Sequence, residues 1–331
     1  MADSKKDIIL ITGASGQLGR RLAPMLVHAG YGVRAHFRSK EKARRYCPEG
    51  AEAVFGDLLE PSWLPSAVRG CDIVIHTAAK VSMRPTGAEE MYRINVGGTE
   101  EVVRACLENG VRRLIHVSSI VAVGASEDGE PVDERLSFNL HGTGIPYVDT
   151  KRKAEEAALS ANGEVLEVVA VNPSIMFALP EREILHTDIK KIPKWIPAYF
   201  DFGVNIVETD DAARGILECI ERGKAGERYI LSGTNLTPDN AFKLAREYFG
   251  VKGPYFKIPR FLLYLAAYIA EKYRQIKGKR PKFHRGLVRL ARYKFIYSYK
   301  KAADELGFAP RPMEESLRYI ISRIEHLRKN Q

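Results

Sequence analysis

The 331-residue sequence predicts an α/β fold: a doubly wound parallel sheet carrying a smaller, mostly helical lobe toward the C-terminus. Three observations predict it. Short apolar runs alternate with helical patterns through the first half, the sequence form of parallel strands joined by crossover helices. These runs are almost continuously hydrophobic rather than alternating, as strands covered on both faces are. A glycine triplet, Gly13, Gly16 and Gly19, stands between the first run and the first helical pattern.

In order, "IILIT" (8–12) reads as the first strand and "GQLGRRLAPMLVHAG" (16–30) as the helix behind it. "YGVRAHF" and "AEAVF" are the next two strands, "PSWLPSAVRG" a short helix, "DIVIH" the fourth strand and "NVGGTEEVVRACLENG" another helix. "RLIHV" and "LEVVAV" complete the strand candidates of the first half. Each helical stretch has apolar positions three and four apart and ends in a glycine, where a left-handed cap belongs. Beyond an irregular segment punctuated by Pro193, Pro197 and Gly203, "VNIVETDDAARGILECIERG" reads as a helix and "ERYILSG" as a strand returning to the sheet. From Thr237 the patterns are mainly helical: "TPDNAFKLAREYFG", "IPRFLLYLAAYIAEKYRQ", "KKAADELGF" and "MEESLRYIISRIEHLRKN". Residues 1–177, rejoined by 203–233, are expected to form the sheet domain, and 178–202 with 234–331 the smaller lobe.

Composition narrows the function classes. At 45% hydrophobic residues the chain can bury a large core. Cys47, Cys71, Cys106 and Cys219 form no Cys-x-x-Cys pair and no Cys/His cluster, so neither a disulfide framework nor a metal site is expected. A few charged residues lead straight into the first strand without a targeting peptide, and the expected location is cytoplasmic. The formal net charge of +10 is local, because Lys272–Ala303 holds twelve Lys or Arg and no Asp or Glu.

The glycine loop has a physical purpose. In "ITGASGQLGRRL" the first glycine permits a tight turn, the second lets a pyrophosphate approach the backbone, and the third lets helix pack on strand. Ser15, Gln17 and Leu18 share the site through N–H groups at the helix start, where the dipole favours phosphate. The loop therefore reads as the dinucleotide-binding signature of a Rossmann-type sheet. At the end of the second strand, where a carboxylate would hold the NAD ribose, stands Arg38, which suits the 2′-phosphate of NADP; NAD remains the alternative. Asp57 and Leu58 end the third strand, with Asp57 placed either to accept from adenine or to cap the next helix. Thr77, Ala78 and Ala79 in "HTAA" leave room for ribose or nicotinamide. Asn95, in a helical pattern beside two glycines, calls for a buried polar contact or close packing, and is counted with the cofactor-binding residues.

Tyr147 and Lys151 in "YVDTK" are a candidate acid/base pair. The spacing alone decides nothing, since Tyr248/Lys252, Tyr268/Lys272, Tyr273/Lys277 and Tyr297/Lys301 share it. Context singles out the first: "RLIHVSS" is a strand ending in Ser118 and Ser119, and Tyr147 follows Pro146, which favours the first turn of a helix. Both would meet at the carboxyl edge of the sheet, where such folds bind ligands. An ammonium one helical turn away would lie roughly 4 to 6 Å from the phenol and would lower it by about one to three pH units.

The glycine loop, "HTAA", "NVGGT", "VSS" and "YxxxK" in this order resemble the extended short-chain dehydrogenase/reductase family, part of the NAD-dependent epimerase/dehydratase superfamily. "GERYILSGTNLT" and "ELGFAPRPMEESLR" are similar to its dihydroflavonol-reductase-like and 3β-hydroxysteroid-dehydrogenase-like members, and "VNPS" with "IPAYFDFGVNIV" to hopanoid-associated sugar epimerases. The resemblance implies Tyr147 as acid/base, Lys151 as its modulator and ribose clamp, and Ser119 as second donor to the substrate oxygen. It further implies Asn172, Pro173 and Ser174 near the nicotinamide amide, and a homodimer. "MFALP" (Met176–Pro180) departs from the family pattern beside the substrate. The implied activity is interconversion of a secondary alcohol and a ketone on an apolar substrate. The alternatives are a sugar-nucleotide epimerase or dehydratase that retains its cofactor, and a non-catalytic cofactor-binding scaffold.

One segment remains. Phe261–Ala270, "FLLYLAAYIA", is too short to cross a bilayer. It is expected to be a buried helix of the lobe, or else, within 261–301, a surface patch on anionic membrane. Tyr293, Phe295, Tyr297 and Tyr299 interleave with cations as in nucleic-acid binders, a pattern an ordinary strand also produces.

Overall fold

The six apolar runs of the first half become strands β1 (Ile8–Thr12), β2 (Gly32–Phe37), β3 (Ala51–Phe55), β4 (Ile73–His76), β5 (Arg113–Val117) and β6 (Glu167–Pro173) in the computed structural model of the protein. It describes residues 7–84, 86–178, 195–253, 256–277 and 284–329. Of the segments singled out above, Leu179, Pro180, Pro193 and 278–283 lie outside the described residues. With the returning strand Arg228–Leu231, the sheet runs β3, β2, β1, β4, β5, β6, Arg228–Leu231, all parallel. The order reverses between β1 and β4, which opens a crevice at their carboxyl ends, where Thr12 pairs with His76.

Alternate residues of each strand enter different cores. Ile9 and Ile11 of β1 pack with Leu22 and Leu26 of α1 (Gly19–His28) and with Ile216 of the helix Thr209–Arg222. Leu10, on the other face, meets Leu64 of α2 (Leu64–Val68), Val102 of α3 (Gly98–Glu108) and Ala158 of α4 (Pro146–Ser160). Each such side chain removed from water contributes about 1.5–3 kcal/mol. Covering both faces this way is why the strands read as unbroken apolar runs. Gly30, Gly70 and Gly110 close their helices at positive φ, as their positions in the sequence predict.

The C-terminal half holds one departure. "VNIVE" is a strand, Val204–Glu208, paired in a small sheet with Ile175–Phe177 and Thr234–Leu236, and only from Thr209 is the chain helical. Buried Asn205 locks it there, donating to Gly233 O at 3.1 Å and accepting from Gly233 N at 2.8 Å. The partner strands lie about 30 residues away on either side, beyond any local pattern. Helices follow at Pro238–Phe249, Arg260–Ile276, Arg285–Leu290, Lys300–Leu306 and Met313–Lys329.

Of the interleaved aromatics, Tyr293, Phe295 and Tyr297 turn inward, whereas Tyr299 is exposed. Lys294 exchanges backbone bonds with Ser126, and the Tyr297 hydroxyl, fully buried, donates to Gly124 O at 2.5 Å. Tyr293 donates to Asn139 O at 2.9 Å. These rings latch the returning chain to the loop after β5 and are not presented for stacking on bases. The helix Arg260–Ile276 corrects the expectation of a buried lobe helix: Ala267 is buried, but most of its large apolar side chains are exposed.

Candidate active site

The glycine loop packs directly on the end of β4. At Gly13 the backbone takes φ +75°, and a Cβ there would lie 2.9 Å from Ala78 Cα and from Thr77 Oγ1. A Cβ at Gly19 would meet Ala14 Cα at 2.7 Å, so that position serves helix packing. Gly16 is exposed at the mouth, and the start of α1 has no side-chain cap, leaving its N–H groups for a ligand. Together they open on a cavity of about 420 Å³. Of the predicted residues, Gly13, Ser15, Gly16, Arg38, Asp57, Leu58, Thr77, Ala78 and Ala79 line it. Asp57 does not cap the next helix, whose cap position is Glu60 without a side-chain bond; its Oδ1 accepts from Leu59 N at 3.0 Å within the turn.

Several predicted residues do other work. The Gln17 side chain donates to Met176 O at 3.1 Å and Thr209 Oγ1 at 2.8 Å, tying the loop to the far end of the sheet. Leu18 is in the core. Asn95 lies in a π-helical turn, Arg93–Gly97, where its side chain accepts from Lys80 N at 2.7 Å and donates to Lys80 O and Thr150 Oγ1. It braces the "HTAA" turn against α4 and does not line the cavity; the buried polar contact its setting calls for is this one. Asn172 is likewise fully buried, donating to Ser119 O at 3.0 Å and to the Glu155 carboxyl group. Pro173 pairs with Leu231 inside the sheet, and Ser174 is buried with its hydroxyl unpartnered among the described residues. These three brace the frame rather than line the cavity.

Sequence reasoning missed His36 and Lys42, which also line the cavity. His36 accepts from Gly13 N at 3.3 Å, bonds Gly56 O at 3.0 Å and stacks on Trp63 with ring centroids 4.2 Å apart. Burial lowers its pKa, so a neutral imidazole clamps the glycine turn to the end of β3. Its position at the end of β2, two residues before Arg38, was the available signal. Lys42 lies one turn into the helix Lys40–Tyr46, whose cap Ser39 accepts from Lys42 N at 3.3 Å.

At the end of β5, Ser119 begins a short helical turn, and its side chain is within hydrogen-bonding reach of the Tyr147 hydroxyl at the start of α4. Ser118 is buried, its hydroxyl without a hydrogen-bond partner among the described residues. Lys151 is buried one turn beyond Tyr147 and donates to Val117 O at 2.8 Å. Burial pushes its pKa down from 10.5 to about 8, opposed by Glu155. Here an expectation fails. The Tyr147 pKa is raised, by burial, with the Ser119 contact opposing, and the Lys151 charge has no part in it. A long side chain need not meet its helical neighbour; this one is drawn to a strand-end carbonyl, and its field instead depresses His76 and His116. His76, bonded to Thr12 and Thr99, is lowered to about 3, chiefly by burial. Beneath the site, fully buried Glu155 also pairs with Arg228 at 3.3 Å. Above it, Met83, Phe138, Leu287, Leu290 and Tyr293 pack around Tyr147 as an apolar wall.

The profile of the 3-beta hydroxysteroid dehydrogenase/isomerase family matches residues 10–208. The chain belongs to this family. As an extended short-chain dehydrogenase/reductase it is an NAD(P)-dependent enzyme. It is 33% identical to the 4-hydroxy-2-methyl-3-oxo-4-farnesyl-3,4-dihydroquinoline-1-oxide ketoreductase of Stigmatella aurantiaca, over 91% of each chain. It is 28% identical to sterol demethylase protein B of Methylococcus capsulatus, over 91% of this chain and 93% of that one. The crystal structure of gox2253, 31% identical, superposes with a TM-score of 0.78 over 97% of this chain and 98% of the other. The enzyme's residues fit a pyridine dinucleotide: two glycines leave a cradle that a Cβ would crowd, an uncapped helix start faces it, and a cavity with cations follows.

Proposed function

We propose that the enzyme is an NADP(H)-preferring oxidoreductase interconverting a secondary alcohol and a ketone on an apolar substrate of steroid-, flavonoid- or lipid-like chemistry, with Tyr147 as acid/base. The observation that carries this is the meeting of the Tyr147 hydroxyl with Ser119 beneath an apolar wall. A phenol raised by burial is protonated at neutral pH and suited to donate. As a ketone oxygen gains charge, Tyr147 gives it a proton and Ser119 holds it with a second hydrogen bond. The reverse reaction returns the proton to Tyr147. The bound dinucleotide supplies or accepts the hydride. Lys151 on Val117 O and Asn172 on Ser119 O keep the strand end in place, and buried Glu155 anchors Asn172.

Arg38 and Lys42 on the cavity support NADP, as two cations for the 2′-phosphate. The wall beside Tyr147 is built of apolar side chains, and the farnesyl group and the sterol in the relatives' names point the same way. The setting proposed is cytoplasmic, where the four cysteines, all free, stay reduced, and beside a membrane that holds such substrates. The test follows NADPH absorbance with a panel of sterol and isoprenoid ketones. Net consumption, faster than with NADH and reduced by about two to four orders of magnitude in Tyr147→Phe, is expected. Substrate conversion without net absorbance change would establish the epimerase outcome instead, and full activity in Tyr147→Phe would remove the acid/base assignment.

A further inference from the structure

The helix Arg260–Ile276 presents its apolar side to solvent. Ala267 is buried and Leu263 and Ala270 partly so along one side, whereas Phe261, Leu265 and Ile269 on the other are 69%, 51% and 57% exposed. Leu262, Tyr268 and Tyr273 widen this stripe, and Phe256, just before the helix, is exposed too. Spacings of three and four residues keep these side chains on one surface. A contiguous apolar surface of this kind marks an interaction site.

The charges around it identify the occupant. Arg260 stands at the start of the stripe, Lys272 within it and Lys277 at its end, all exposed, while Lys257 just before the helix pairs with Asp201 at 3.2 Å. The one acidic residue of the helix, Glu271, is held by Arg285 through two bonds of 2.7 Å, which leaves the solvent side positive. Lys272 and Lys277 lie over the Tyr268 and Tyr273 rings at 5.9 Å, their stems along apolar surface and their ammonium groups at its border. Aromatic and aliphatic side chains edged by lysines match the boundary between headgroups and acyl chains of an anionic bilayer. A helix of this length, about 25 Å, lies along that boundary. No helix among the described residues is long and apolar enough to cross a membrane.

We infer that the helix Arg260–Ile276 docks the enzyme on anionic lipid bilayers, with its exposed stripe in the interface and Arg260, Lys272 and Lys277 on lipid phosphate. The helix packs on Arg285–Leu290, whose Leu287 and Leu290 join the cluster around Tyr147, so the docking face and the candidate active site are one helix apart. Delivery of an apolar substrate through this contact rests on the function proposed above; the contact itself does not.

Flotation of the full chain with phosphatidylcholine vesicles, with and without roughly a third of phosphatidylserine, tests it. Binding is expected on the anionic vesicles, weaker on the neutral ones, and falling as salt rises. Leu265→Glu with Ile269→Glu should lower binding by about tenfold or more, since each apolar side chain in the interface carries a factor of roughly ten. The urea midpoint and the turnover of a water-soluble ketone should stay at the wild-type level. Arg260→Ser with Lys272→Ser and Lys277→Ser should abolish the preference for anionic lipid. The inference is overturned by a wild type that binds no vesicles, by unchanged binding in the glutamate pair, or by a wild-type dimer on this face that the pair dissociates and that excludes lipid. Vesicle binding without ketone turnover would count against the proposed function and not against docking.

Discussion

Replacing Lys151 with methionine separates what the residue does for folding from what it does for chemistry. Folding strips water from this ammonium and moves its pKa from 10.5 to about 8, a displacement equivalent to roughly 3 kcal/mol. Because the folded value is the lower one, the unfolded chain binds the extra proton between these two values. Wild-type stability therefore carries the full cost below about pH 8 and recovers it as pH climbs toward 10.5. Methionine fills similar volume without charge, but leaves Val117 O without its donor, a loss of about 1–3 kcal/mol. The two effects oppose each other near neutrality, so the variant should sit within about 2 kcal/mol of wild type there. By about pH 10 it should have fallen behind by roughly a further 3 kcal/mol. Urea unfolding followed by the fluorescence of Trp63 and Trp195 measures this, and groups that do not feel the Lys151 charge cancel in the difference between the two chains. A stability difference that stays flat across the range would refute the account of Lys151 as a desolvated ammonium.

Three further outcomes are expected. Gly13→Ala forces an L-residue into φ +75° with its Cβ on Ala78, and should cost about 1–3 kcal/mol in thermal stability while abolishing NADPH binding by fluorescence titration; normal affinity would remove the phosphate-loop assignment. Arg38→Ala with Lys42→Ala should raise the KM for NADPH by about tenfold or more, each charge-assisted bond contributing about 1.5–3 kcal/mol, and leave the KM for NADH almost unchanged; equal effects on both would point away from the 2′-phosphate. Glu155→Ala leaves Arg228 unpaired and frees Asn172, so about 3–5 kcal/mol should be lost in chemical denaturation. Glu155→Gln, which can still bond Asn172, should lose less, and equal losses would show that the Asn172 contact contributes nothing.

The sheet was legible because its signals are local. Nine or so residues suffice to show an apolar run and the glycine after it, and β1 through β6 lie where those runs lie. The small sheet around Val204–Glu208 was not legible, because Asn205 finds Gly233 only after the chain has made a helix and another strand. The helix Arg260–Ile276 was legible as a helix, but its ten-residue apolar run looks the same whether it faces a core or a membrane. Asn95 carried a usable signal, a polar residue beside two glycines that calls for a buried contact, and that contact is with Lys80 and Thr150; Asn172 was placed by resemblance alone, and its bonds to Ser119 O and Glu155 come from distant parts of the chain.

The five Tyr-x-x-x-Lys pairs show the division most plainly. By itself the sequence determined that Tyr147 follows the strand ending in Ser119 and starts a helix after Pro146, since strand runs and proline preferences act over a few residues. Only the tertiary structure decided what each pair does. Lys272 and Lys277 lie over the Tyr268 and Tyr273 rings on an exposed helix, Tyr297 donates to Gly124 O in the core, and Lys151 turns from Tyr147 to the carbonyl of Val117. Helical period places two side chains on one face, whereas their hydrogen bonds and the water they lose depend on groups contributed from far along the chain, and those set the pKa of each.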